Sequence, residues 1–162
     1  MAVPYYRQQK DYTCGPAVLR MALAARGHRV TERTIARCAQ TTAKHGTSNF
    51  GMQRCLRKLE APYWMAYRCR YRDLQRSVKE GVVIVDWMPQ LIYPEHREFQ
   101  HSRHYNPVED SHYAIVVGAG ERFTTLQDPV LGRRVRVSRA SFVKAWRDAR
   151  SSVHWLLCVL RQ

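Results

Sequence analysis

The sequence predicts an α+β fold in which N-terminal helices pack on a mostly antiparallel sheet. Helical patterns with caps and stops fill the first half of the chain, and short strand-like runs separated by turn residues fill the second half. At 162 residues the chain is long enough to bury a core without disulfide staples. We therefore expect one domain over residues 1–162.

Four helical segments come first, each with recognisable ends. A helix begins at about Cys14, tolerates Pro16 in its first turn and stops at Gly27. The second, "VTERTIARCAQ", is capped by Thr31. The others are "FGMQRCLRKLEA", with Phe50, Met52, Cys55, Leu56 and Leu59 close to helical spacing, and "YRDLQRSVKEG", which ends at Gly81. The pattern predicts that these apolar residues face a common core, with Ile35 and Cys38 on the inner side of the second helix.

Short β-rich runs follow, which are "VVIVDWM", "HYAIVVG", "RFTTLQ", "RVRVS" and "VHWLLCVL". Between the last two, "SRASFVKAWRDAR" predicts a fifth helix with Ser138 as its N-cap. Residues 89–111 are rich in proline and histidine and show no clear period. They predict a long irregular loop, inserted into the domain, of a kind that is often functional.

Composition narrows the class of protein. No stretch approaches 18 apolar residues and no apolar run opens the chain, so a cytoplasmic protein is expected. The five cysteines are odd in number and lack CxxC spacing, which favours reduced thiols over a disulfide framework or a cysteine zinc site. The net charge of +14 suggests an anionic partner. Because the 27 basic residues are spread along the chain, nucleic-acid binding is the weaker interpretation.

The first cysteine, Cys14, stands at the start of the first predicted helix. A helix N-terminus presents unpaired backbone N–H groups and the positive end of the dipole, and both favour a thiolate over a thiol. A buried cysteine acting as a small hydrophobe is the alternative at this point. Cys14 is thus a candidate nucleophile that needs a base within reach.

Among the seven histidines, His112 is the best placed to be that base. It opens the strand "HYAIVVG", and Asp128 follows the next strand, "RFTTLQ". If the two strands pair, both side chains arrive at the same end of the sheet. There the imidazole could accept the Cys14 proton while the carboxylate fixes its tautomer.

These residues belong to segments that resemble the bacteriocin-processing peptidases that cut double-glycine leader peptides, a branch of the papain-like cysteine peptidases. The matching segments are "VPYYRQQKDYTCGPAVLRM", "HGTSNFGM", "GVVIVDW", "SHYAIVVGAGERFTTLQDPVLGR" and "SFVKAWRD". They cover most of the chain in the family's order. The resemblance implies a papain-like fold and assigns the nucleophile to Cys14, the base to His112 and the orienting carboxylate to Asp128.

The resemblance also implies an oxyanion-hole glutamine six residues before the cysteine, a spacing that Gln8 holds and Gln9 misses by one. A side-chain amide and the Cys14 backbone N–H could both point at the developing negative oxygen. Substrate contacts are expected from Tyr12, Gly15, Trp87 and Tyr113, with Tyr5 and Tyr6 as further candidates for an aromatic wall that leaves room only for small residues.

The expected function is cleavage of a peptide bond after Gly-Gly or similar small residues, in a peptide or protein substrate that is possibly acidic. An amidase, a deubiquitinase-like enzyme or an acyl transferase using the same thioester is the alternative. The family's members are often domains of ATP-driven exporters, so an exporter is an implied partner, although no P-loop follows here. No cofactor is expected. A metal site at His101 and His104, near Glu95, His96 and Glu98, is the weakest hypothesis, because a solvated loop explains the same residues.

Overall fold

The structure is a computed structural model that describes residues 2–93, 112–147 and 153–161. Its elements are α1 (Cys14–Ala24), α2 (Glu32–Ala39), α3 (Asn49–Lys58), β1 (Tyr63–Tyr67), α4 (Tyr71–Glu80), β2 (Gly81–Trp87), a 3₁₀ turn (Pro89–Leu91), β3 (His112–Ala119), β4 (Phe123–Gln127), β5 (Arg134–Ser138), α5 (Arg139–Ala145) and β6 (Trp155–Leu160). Both predicted caps are present, since the side chains of Thr31 and Ser138 accept backbone N–H groups at the starts of α2 and α5. Ser48 caps α3 in the same way, which was not predicted.

The six strands form one sheet in the order β1-β6-β2-β3-β4-β5, and every neighbouring pair is antiparallel. The hairpin from β3 to β4 places the start of β3 beside the end of β4, with Ile115 opposite Gln127. The pairing that the sequence left conditional is therefore present, and it brings the two strand ends to one end of the sheet.

Helices cover both faces of the sheet. Helix α1 packs on β2 and β3, and α2 and α3 pack against α1, while α4 and α5 lie on the opposite face. The alternation along β2 matches these layers: Val82 and Ile84 join the core with α1, whereas Val83, Val85 and Trp87 join the core with α4 and α5. The α+β prediction is confirmed, with helices on both sides.

The structure differs from the sequence expectations in three places. Strand β1, "YWMAY", was not predicted. It pairs with β6, about ninety residues later in the chain, and its residues are mostly half-buried without a clean alternation. Phe50 is 70% exposed and does not face the core. Helix α5 ends at Ala145, before the predicted "RDAR" end. Most of the predicted 89–111 loop, residues 94–111, lies outside the described residues.

None of the described helices has the length and apolarity to cross a membrane.

Candidate active site

Cys14 is the first residue of α1, and its side chain is partly exposed. The backbone N–H groups of the first helical turn have no partner within the helix, so this position stabilises negative charge on the sulfur. Gly15 follows because nothing larger fits. A Cβ there would lie 2.6 Å from Thr47 Cβ and 2.7 Å from Thr47 Oγ1. Gly15 lets the start of α1 approach the loop before α3, and it is itself buried.

His112 and Asp128 meet where β3 begins and β4 has just ended. His112 Nε2 lies 2.9 Å from Asp128 Oδ2, with both residues buried, at 6% and 0% exposure. The short β3–β4 hairpin fixes this contact, because the two residues flank paired strands. A carboxylate on Nε2 holds the imidazole in one orientation and supports its charged form.

The Cys14 side chain acts on the same imidazole, because a hydrogen bond to it is among the causes that raise the pKa of His112. Since Nε2 is engaged by Asp128, Nδ1 is the nitrogen that can accept the thiol proton. Burial lowers the pKa of His112, but the charge of Asp128 and the hydrogen bonds to Asp128 and Cys14 outweigh it and raise that pKa to about 10. The proton is therefore held on the imidazole at neutral pH.

Asp128 uses both of its oxygens. Oδ2 bonds His112, while Oδ1 accepts the backbone N–H of Val130 at 2.8 Å and of Leu131 at 3.3 Å. This Asx-type turn follows Pro129 and leads into β5. The Asp128 carboxylate thus fixes both the His112 imidazole and the loop on which Asp128 itself lies.

The ion pair predicts a pH dependence of stability. The folded-state pKa of His112 is raised from 6.5 to about 10, so its stabilising contribution is complete below pH 6.5 and is lost as pH rises towards 10. We expect the free energy of unfolding in urea to fall across that window, by at most about 1.4 kcal/mol per pH unit for one proton. Asp128→Asn should flatten the fall between pH 6.5 and 9. An equal slope in both proteins would contradict the ion pair.

The segment before Cys14 is hydrogen-bonded to the turn after Asp128 and to helix α2. The Gln8 backbone N–H donates to the carbonyl of Pro129 at 2.9 Å, and the Gln9 N–H donates to Glu32 Oε1 at 2.9 Å. The Gln8 side chain is half-buried, whereas Gln9 is exposed. Gln8 Nε2 donates to the carbonyls of Lys10 and Asp11 at 2.8 and 3.1 Å. Because both of its N–H groups have acceptors, donation to an oxyanion requires one of them to be released.

The predicted substrate contacts are placed very differently from one another. Tyr12 is half-exposed, two residues before the cysteine. Trp87 does not line a cleft: it is fully buried in the core with α4 and α5, since its strand position points it to the other face from α1. Tyr113 is 6% exposed, and its hydroxyl donates to Thr47 O and Asn49 Oδ1. Tyr113 and Gly15 thus both contact the loop before α3, and their roles as substrate contacts stay predictions.

The sequence analysis did not identify two residues near the site, Glu32 and Thr47. Glu32 is 2% exposed and accepts the Gln9 N–H. Thr47 packs against Gly15 and receives Tyr113. The Tyr5 hydroxyl, expected on the aromatic wall, donates to the Asp128 carbonyl instead. Burial and the Asp128 charge raise the pKa of Tyr5 to about 12, so it remains a donor.

No group of three or more metal-ligating side chains occurs among the residues that the structure describes. The hypothetical histidine site at 101 and 104 lies outside them.

The chain is similar to known proteins in sequence and in fold. The model of the Peptidase_C39 like family matches residues 1–154. The peptidase domain of Streptococcus ComA, a bi-functional ABC transporter involved in quorum sensing, is similar at a TM-score of 0.70 and 18% identity, over 99% of this chain and 100% of that one. A double glycine motif protease from an AMS/PCAT transporter, solved in complex with the leader peptide, gives 0.72 and 18%, over 99% and 93%.

A putative C39-like peptidase from Bacillus anthracis gives a TM-score of 0.73 at 17% identity, over 99% of this chain and 96% of that one. No curated protein matches the sequence. The solved structures confirm the papain-like fold.

Proposed function

Since this chain belongs to the Peptidase_C39 like family and is a cysteine peptidase, we propose that it cleaves peptide bonds with Cys14 as nucleophile, His112 as general base and acid, and Asp128 as the orienting carboxylate. One observation carries this proposal. His112 hydrogen-bonds the Cys14 side chain while its Nε2 lies 2.9 Å from the Asp128 carboxylate. Nucleophile, base and orienting group thus stand in the order that thiol catalysis requires.

The chemistry follows from these contacts. The thiol proton moves to His112 Nδ1, and the sulfur attacks the scissile carbonyl carbon, whose π electrons pass to its oxygen. The imidazolium then gives its proton to the departing amine, leaving a thioester on Cys14. Water, deprotonated by His112, attacks that thioester and releases the carboxylic acid and the thiol. The raised pKa of His112 keeps this proton on the imidazole until it is transferred to the leaving amine.

The oxyanion is stabilised by the Cys14 backbone N–H and by Gln8, which the N-terminal segment holds beside the Asp128 turn. Gln8 can donate to the oxyanion after it releases one of its two carbonyl acceptors, Lys10 or Asp11. Until then its amide holds the turn that leads into α1. We expect Gln8→Ala to lower kcat by about 10²–10³-fold, the loss typical of one oxyanion donor. Gln9→Ala is the matched control and should be near neutral, because the Gln9 side chain is exposed. A damaging Gln9→Ala beside a silent Gln8→Ala would overturn the assignment.

For the substrate, we propose an extended peptide cut after two small residues, most simply Gly-Gly. Sequence resemblance supports this choice, and one structural relative is itself described as a double glycine motif protease. The net charge of +14 favours an acidic substrate. The exporter that the resemblance implies would then transport the cleaved peptide.

Reporter peptides ending in Gly-Gly, Ala-Ala or Leu-Leu test the substrate, each at low and high salt. We expect kcat/KM to be highest for Gly-Gly and lowest for Leu-Leu, and to fall with salt for peptides with glutamates upstream. Equal cleavage of all three would defeat the small-residue claim, and salt-independent rates would defeat the charge claim. Hydrolysis of small thioesters or amides without peptide cleavage would favour the acyl-transfer alternative.

A further inference from the structure

A basic and aromatic surface lies along the last strand of the sheet and the β3–β4 turn. We call it the β5 surface and define it by Gly118, Arg122, Phe123, Thr125, Arg134 and Arg136. All of these except Arg134 line a shallow depression beside the β3–β4 turn, in which Phe123 is 38% exposed, and Arg134 stands two residues before Arg136 on β5. The depression exists because Gly118, opposite Thr125, has no side chain to fill it.

The arginines of the β5 surface are arranged around the aromatic ring. The Arg136 guanidinium lies 4.0 Å from the centroid of the Phe123 ring, and that of Arg122 lies 6.0 Å from it. These stacked guanidinium groups keep their N–H edges available to acceptors. Nearby, the carboxylate of Glu121 is 3.6 Å from Arg139, an exposed pair that balances only one positive charge. A net positive surface is left around an apolar ring.

The same arginines stand on an edge strand. β5 is the last strand of the sheet, and within residues 2–93, 112–147 and 153–161 no strand pairs with its outer side. The Arg139 N–H donates to the Arg122 carbonyl. Because bonding alternates along an antiparallel ladder, Val135 and Val137 also bond to β4, while Arg134 and Arg136 direct their backbone N–H and C=O groups outwards.

We propose that the β5 surface binds an extended acidic segment of a partner protein, which pairs with the outer edge of β5 and places carboxylates on Arg134 and Arg136. The backbone edge favours a peptide over a nucleic acid, since a strand edge offers its N–H and C=O groups to another strand. The charge of the side chains selects acidic residues, and Phe123 receives an apolar side chain between them. This surface contains none of the catalytic residues, so the proposal is independent of the proposed function. Its member nearest to them is Arg134, which lies opposite Gln127, the residue before Asp128.

The test uses fluorescence anisotropy with three labelled probes: a peptide that alternates glutamate with valine or threonine, the same peptide with lysine for glutamate, and an oligouridylate. We expect the acidic peptide alone to bind, with an affinity that falls as salt rises. Arg134→Gln/Arg136→Gln should weaken it at least about tenfold, the value of one charge-assisted hydrogen bond. Arg33→Gln/Arg37→Gln, on the exposed side of α2, removes the same charge and should leave binding unchanged.

A backbone variant separates strand pairing from charge. Arg136→Pro removes one outward N–H and no ladder bond to β4, so it should weaken binding further than Arg136→Gln, with the thermal midpoint monitored for both. Equal weakening by the α2 control, tighter binding of oligouridylate, or equal affinities of the Pro and Gln variants would overturn the proposal. Competition by a cleavable Gly-Gly peptide would also overturn it, since the occupant would then be the substrate. Cleavage of Gly-Gly peptides should be unaffected by every one of these variants.

Discussion

Cys14→Ala is expected to abolish peptide cleavage, with a loss in kcat of roughly 10⁶-fold, as when the nucleophile of a catalytic triad is removed. The reason is chemical, since Cys14 is the thiol whose hydrogen bond acts on His112. Cys38→Ala is the matched control, because Cys38 is also a free and partly exposed cysteine, at the end of α2. It should retain full activity. An equal loss in both variants would contradict the assignment of the nucleophile.

Alkylation gives the same prediction a second measurement. Cys55, Cys69 and Cys158 are buried, and burial raises their thiol pKa values to about 12, 11 and 12. These three should react very slowly with iodoacetamide at pH 6. Peptide mapping should find Cys14 labelled first, and equal labelling of Cys38 would count against the proposed nucleophile.

Asp128→Asn is expected to lower kcat by about 10⁴-fold, the loss seen when the orienting carboxylate of a serine-protease triad becomes an amide. The structure gives the reason. Asp128 accepts from His112 with one oxygen and from the Val130 and Leu131 N–H groups with the other. An amide has only one acceptor oxygen, so it keeps the turn and turns its NH₂ towards the imidazole, or it orients the imidazole and leaves the turn unbonded.

Two measurements separate these outcomes. Asp128→Asn should remain folded by circular dichroism, and its cleavage should not recover at any pH between 6 and 9. Asp128→Ala should lose activity as well and should also be less stable than Asp128→Asn, because it satisfies neither His112 nor the turn. Wild-type turnover in Asp128→Asn would show that the carboxylate is not needed for catalysis.

Much of the site was predictable because its parts are local in sequence. Cys14 is marked by the helix that it starts, and His112 and Asp128 by the strands that they adjoin. A hairpin joins neighbouring strands, so the ends that meet could be inferred before any coordinates. At the helix caps, the side-chain oxygens of Thr31 and Ser138 accept backbone N–H groups that lie only three residues later, which is also local information.

Other features depended on contacts between distant residues. The edge strand β1 exists because β6 pairs with it, and "YWMAY" has no pattern that predicts this partner. Trp87 and Tyr113 looked equally fit to contact a substrate, but the strand alternation buries Trp87 with α4 and α5 and aims Tyr113 at Thr47. The alternation of a strand shows which residues share a face of the sheet. It does not show which helices cover that face.

By itself, then, the sequence determined the α+β class, the helix caps at Thr31 and Ser138, and the meeting of His112 and Asp128, the proposed base and carboxylate, at one end of the sheet. Only the tertiary structure decided that Gly15 must be small, that Glu32 holds the Gln9 backbone, and that Gln8 spends its amide on two carbonyls. The physical reason is that local hydrogen bonds and side-chain periods act over a few residues. Close packing and the pairing of buried polar groups, in contrast, are settled between segments that lie far apart in the chain.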